Sequence, residues 1–187
     1  MKNEKINLLR VSIESEHLLL VPPALKYAAE IYKEFNNEAV IRFMNAMPRT
    51  ITDAENFVRT SLVDMKAGKK LVCSILKKSN KEFLGNLSIL DVDTATPEVA
   101  IWLKKSAHGS GYGLEAVKAL KEWLDGHIDY EYLQYPVANV NMASRKIPEA
   151  LGGVIAQKDF AFTKVDGSVW QYTNYKIYKG TLIAKKS

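Results

Sequence analysis

The chain has 187 residues and a formal net charge of +5, with 47% of its residues hydrophobic and 25% charged. That balance is an ordinary globular one, long enough for one substantial core and short for two, so residues 1–187 read as a single domain. The longest aliphatic run, LLLV at 18–21, is far too short to span a bilayer, and a single cysteine, Cys73, excludes a disulfide framework and a cysteine-based metal site.

The opening MKNEKINLLR mixes both charge signs with apolar residues and contains no secretory apolar region, so a reducing, cytoplasmic setting is expected. Positive charge concentrates in Lys66, Lys69, Lys70, Lys77, Lys78 and Lys81, without interleaved aromatics. The run reads as a solvated face rather than a nucleic-acid surface.

In chain order, LLLV closed by Pro22-Pro23 predicts a first strand. Leu25, Ala28, Ala29, Ile31, Tyr32 and Phe35 recur at helical spacing. A second helix is expected to begin with a capping box, Thr52 with Glu55 three residues on, ahead of Phe57, Val58 and Leu62. After Gly68 the pattern becomes extended: LVCSIL at 71–76 and FLGNLSIL at 83–90 flank a turn at Ser79-Asn80, and EVAIWL at 98–103 is a third strand. HGSGYG at 108–113 then leads into a helix marked by Leu114, Val117, Leu120 and Leu124 and ended by Gly126. YLQYPV at 132–137 reads as a strand and residues 144–151 as a short helix with Ser144 as its N-cap and Pro148 in its first turn. AFTKV and SVWQY around Asp166-Gly167 form a closing hairpin. No repeat or linker divides the chain, and the order of elements predicts a mixed α/β (α+β) domain on one sheet.

A glycine-rich turn entering a helix aims backbone amides at an anion, helped by the helix dipole. The nucleoside triphosphate signature GxxxxGK[ST] is absent. A dinucleotide turn fits poorly, because KKSAH separates the strand from the glycines and Leu114 stands where a third glycine is wanted.

The arrangement of strand, linker, glycine turn, helix and strand, followed by Asn141-x-x-Ser144, resembles the GNAT superfamily of acyl-CoA N-acyltransferases, and within it the RimJ/RimL type. The likeness runs from about Leu18 to Tyr178 and is strongest in EVAIWLKKSAHGSGYGLEAV and NMAS. It implies a mostly antiparallel central sheet with a splayed middle strand and flanking helices, acetyl-CoA as co-substrate, no metal, and acetyl transfer to a primary amine. By this resemblance His108, Gly109, Ser110, Gly111, Tyr112 and Gly113 form the pyrophosphate loop, with histidine in place of the usual glutamine or arginine. Leu103 and Lys105 lend backbone contacts to the cofactor, Asn141 holds the pantetheine arm, and Ser144 protonates the departing thiolate. Pro148 stands where many members carry a tyrosine acid, Thr163 where RimL-like enzymes carry a glutamate, and Gly152-Gly153 where Gly-Phe is usual. Glu98 is the remaining candidate base, acting through water.

The acceptor reads as a protein N-terminus or a small amine, covered by residues 24–68 with Phe35, Phe43, Met44, Met47 and Phe57. Acids there are scattered, which speaks against polyamines. A homodimer is allowed, and a CoA-binding sensor that has lost catalysis is the alternative. Cys73 reads as a core residue, His17 and His127 share no ligand spacing, and Trp102 and Trp170 are core or pocket aromatics.

Overall fold

The computed structural model describes residues 6–44 and 48–181, so Met47 lies outside the described residues. One mixed sheet of eight strands runs through them: β1 (Ile13–Glu14), β2 (Leu18–Val21), β3 (Lys70–Lys77), β4 (Phe83–Leu90), β5 (Glu98–Leu103), β6 (Tyr132–Ala138), β7 (Val154–Thr163) and β8 (Val169–Tyr178). Their order is β1-β2-β3-β4-β5-β6-β8-β7, and every neighbouring pair is antiparallel except β5 with β6.

The helices are α1 (Ala28–Glu34), α2 (Glu38–Ile41), α3 (Ile51–Ala67), α4 (Tyr112–His127) and α5 (Met142–Ala150). The capping box of α3 lies two residues before the expected one. The Thr50 hydroxyl accepts from the Asp53 amide, and the Asp53 carboxylate accepts from the Thr50 amide. The T-x-x-acid pattern occurs twice in TITDAE, and the structure uses the first copy. Gly68, in the left-handed region, ends α3. The expected helix of residues 25–35 divides into a short turn, Leu25–Tyr27, and α1, and α2 is an element that no periodicity marked.

Both faces of the sheet are covered. Ala116, Val117, Leu120 and Leu124 of α4 and Ile147 of α5 press on one face, against Leu87, Leu133 and Tyr135. Ala28 and Ile31 of α1 and Ala54 and Val58 of α3 press on the other, against Leu76 and Phe83. Cys73 is a fully buried core residue on the first of these faces, and burial pushes its thiol up to about 12. One buried charge was invisible to periodicity. Lys121 sits on the apolar face of α4, and its ammonium meets the Asp125 carboxylate at 2.7 Å. The same carboxylate receives the Tyr130 hydroxyl, so the buried cation is paired.

Candidate active site

The middle of the sheet is forked. β5 pairs with β4 along its whole length, and β6 pairs with β8 along its whole length. β5 and β6 meet only at Glu98 opposite Gln134. The adjoining backbone bonds, Gln134 to Pro97 and Glu131 to Ala95, each 2.8 Å, lie before that pair. Beyond it the strands part toward Leu103 and Ala138, so each presents an unpaired edge to the gap. Glu98 therefore stands at the closed end, where burial and the nearby Asp91 charge push its carboxyl above the usual range.

The glycine loop lies at the open end of β5. Gly109 and Gly111 take left-handed φ values of 77° and 78°, and a Cβ added to either would meet nothing within 4 Å. The turn thus needs glycine for its backbone shape, and the space above it is open. Gly113 has a different reason: a Cβ there would press on Ile147 Cδ1 at 3.2 Å, so it lets α4 start close against α5. No side chain caps α4, and the first amide with a helical carbonyl partner is that of Glu115, bonded to Gly111. The preceding amides, Tyr112 to Leu114, face out of the helix end, where the dipole favours an anion.

His108 braces this loop despite its short side chain. Its Nε2 lies 2.9 Å from the Leu103 carbonyl oxygen and ties the loop back to the strand end. The Lys104 amide turns to Leu84 on β4, so the alternating backbone of Leu103 faces the gap. Lys105 is differently engaged: its amide donates to the Glu34 carboxylate at 3.1 Å, and its carbonyl accepts from His108. A backbone contact from Lys105 to a ligand would have to displace Glu34.

α5 lies over β6, the opposite arm. Its N-cap is Asn141, whose side chain accepts from the Ser144 amide at 3.2 Å, so Ser144 is the third helical residue and not the cap. Pro148 is inside the helix rather than in its first turn. Its missing N–H removes the bond to the Ser144 carbonyl. Gly153 is explained by the same proline, since a Cβ there would lie 2.7 Å from the Pro148 carbonyl oxygen. The glycine where Gly-Phe is usual thus lies at a close backbone approach. The Ser144 hydroxyl is partly buried and lies 2.9 Å from the Tyr135 hydroxyl of β6, one residue beyond the closed end.

The acetyltransferase (GNAT) domain family matches residues 17–154. The chain belongs to that family. Among solved structures, a probable acetyltransferase matches with a TM-score of 0.80 at 18% identity, over 90% of this chain and 97% of its own. A Salmonella typhimurium acetyltransferase that modifies the N-terminal serine of a ribosomal subunit protein matches with a TM-score of 0.76 at 14% identity, over 90% and 99%. A microcin self-immunity acetyltransferase, MccE, in complex with acetyl-CoA and AMP, matches with a TM-score of 0.75 at 23% identity, over 88% and 93%. No curated protein matches significantly. The protein is an acetyltransferase of the GNAT family, whose co-substrate is acetyl-CoA.

In this GNAT domain three further features are set by tertiary packing. His17 is not isolated: its ring and amide, with the Ser15 hydroxyl, hold the Glu115 carboxylate at 3.0, 2.7 and 2.6 Å. Burial pushes that carboxyl up, but these donors outweigh burial and hold it below the usual range. This first-turn acid is drawn toward the β1–β2 turn. Trp102 packs against Phe35 and Phe83, under α1. Lastly, β6 ends opposite Tyr172, so the tip of the β7–β8 hairpin runs past the open end of the fork. There the Lys164 ammonium donates to the Arg42 carbonyl at 3.1 Å, and Trp170 meets Phe43 edge-on at 5.7 Å. Thr163, on that hairpin, is exposed.

Proposed function

We propose that the protein transfers the acetyl group of acetyl-CoA to a primary amine, by direct attack of the neutral amine on the thioester. The observation that carries this reading is the fork, with an amide-bearing loop at the mouth of one arm and the Ser144 hydroxyl on the other. In this reading the pyrophosphate lies on the Gly109–Gly113 loop and the amides of Tyr112 to Leu114, where the turn is open and the helix end uncapped. The pantetheine arm runs into the gap, beside the backbone of Leu103 and the Asn141 side chain. Ser144 donates a hydrogen to the sulfur as negative charge develops there.

Glu98 is two elements of geometry away from that role as base: it sits at the closed end and is paired across to Gln134. Thr163 offers no carboxylate. Water at the mouth is then the carrier of the amine proton, with half-buried Glu98 as its sink. The acceptor enters beneath the bridge between Arg42–Phe43 and Lys164–Trp170. A protein N-terminus is the acceptor class favoured by the likeness to enzymes that modify ribosomal proteins.

Isothermal titration with acetyl-CoA tests the first half, and a coenzyme A release screen over amines and N-terminal peptides tests the second. Absence of binding at tens of micromolar, about −6 kcal/mol, would sink the reading. Tight binding without thiol release from any acceptor would favour the non-catalytic sensor.

A further inference from the structure

β6 turns Leu133, Tyr135 and Val137 into the core beneath α4 and α5, at 1%, 2% and 3% exposure. Two of these are aliphatic and ask for nothing but space. The third brings a hydroxyl, and a hydroxyl sealed from water needs a partner. It finds the Ser144 hydroxyl at 2.9 Å. Phenylalanine would fill the same cavity, so the oxygen is the informative atom.

Two hydroxyls share two hydrogens, and only one hydrogen lies between the oxygens. If serine donated, the tyrosine hydrogen would be left without an acceptor in a closed apolar site. If tyrosine donates, its hydrogen is used, and the serine hydrogen is released toward the partly open side. Orphaned buried donors are the costlier error, so the second arrangement wins. Burial pushes the Tyr135 phenol up to about 12, against the opposing pull of Ser144, so it keeps its hydrogen at neutral pH. The neighbouring charged groups are engaged elsewhere. Arg145 Nε donates to the Tyr175 hydroxyl at 3.3 Å, and that hydroxyl donates to Glu149 at 2.8 Å.

We infer that Tyr135 is a positioning residue for acetyl transfer: its hydroxyl donates to Ser144 Oγ and directs the serine hydrogen to the sulfur of coenzyme A. The inference rests on the reading of Ser144 given above. A hydroxyl that accepts one hydrogen bond also donates a stronger one, so the pair stabilises a thiolate better than serine alone.

The test needs no acceptor. The apparent pKa of the thiol of bound coenzyme A can be followed by thiolate absorbance in the full chain and in Tyr135→Phe, Ser144→Ala and the double variant. Ser144→Ala should raise it, Tyr135→Phe should raise it by less, and the double variant should match Ser144→Ala. Placing 3-fluorotyrosine at position 135, a stronger donor of the same shape, should lower it and guards against a phenylalanine variant that folds poorly. In turnover, Tyr135→Phe should reduce kcat roughly fivefold, leave the KM for acetyl-CoA unchanged, and add nothing in the Ser144→Ala background. A shift with Ser144→Ala but none with Tyr135→Phe or fluorotyrosine overturns this inference alone. The absence of any shift with Ser144→Ala overturns the role of Ser144 and this inference with it. A Tyr135→Phe loss that persists in the Ser144→Ala background, with a lowered melting temperature, shows a structural hydroxyl and also overturns it.

Discussion

The two halves of the sheet that meet at the fork are built differently. On one side β3 and β4 are buried on both faces, held between α1 and α3 beneath and α4 above. On the other side β7 is exposed along nearly its whole length, and β8 buries only alternate residues of its second half. Each half supplies one arm. The arm that carries the glycine loop is therefore anchored in a closed core, while the arm that carries Ser144 rests on a lightly covered hairpin. Substitutions on the first arm should be read mainly in stability and cofactor grip. Those on the second should be read mainly in turnover.

The largest expected effect is on the closed side. Gly85 of β4 has φ 154°, and a Cβ there would lie 2.1 Å from the Trp102 carbonyl oxygen and 2.8 Å from the Leu103 Cα. Gly85→Ala must push β4 and β5 apart at the mouth of the fork. A loss of at least about 3 kcal/mol of folding free energy is expected in urea titration, together with loss of acetyl-CoA binding. A variant that stays within about 1 kcal/mol of the parent would mean that the two strands are less rigidly joined than their register implies.

Ser144→Ala should act mainly on turnover: kcat falls about 100-fold while acetyl-CoA affinity stays near the parent's, and folding stability falls only by the roughly 1–3 kcal/mol that the Tyr135 hydroxyl loses with its partner. Because Asn141 caps α5, the helix does not depend on the serine hydroxyl. Asn141→Ala is the control, with about 1 kcal/mol of stability lost. A Ser144→Ala enzyme with normal turnover would remove the functional contrast between the arms.

Gly111→Val should cost roughly tenfold in acetyl-CoA affinity, seen by calorimetry. The left-handed φ of 78° strains a valine, and the side chain would project into the open space above the loop. Stability should fall by the roughly 1–2 kcal/mol of that backbone strain and no more, since no protein atom is there to clash. The smallest effect is electrostatic. With its folded pKa raised by burial and Asp91, Glu98 binds more protons folded than unfolded, so its ionisation weakens the fold as pH rises from the unfolded carboxylate value through the folded one. Glu98→Gln should flatten the decline in melting temperature as pH rises from about 4, the ordinary carboxylate value. An unchanged slope would locate the closed end of the fork in a more watery setting than its burial indicates.

Signals that lie within a few residues were legible in the chain. The apolar runs at 71–76 and 83–90 are strands because a doubly covered strand is mostly apolar, and HGSGYG is a turn because its backbone requires glycine. The β7–β8 hairpin extends well beyond its expected bounds because β7 is so exposed that no alternation marks it. The α3 cap was ambiguous between two overlapping copies of one pattern, which local sequence cannot rank. What the sequence by itself determined was the family, through the resemblance carried by its motifs, and the glycine turn and most element types, through short-range periodicity and turn chemistry. Tertiary packing decided where β5 and β6 cease to pair, that His108 closes on Leu103, that Glu34 occupies the Lys105 amide, and that Tyr135 meets Ser144. Each of those depends on how separate elements stack. A hydroxyl in an apolar strand finds its partner only once a helix has been laid across it.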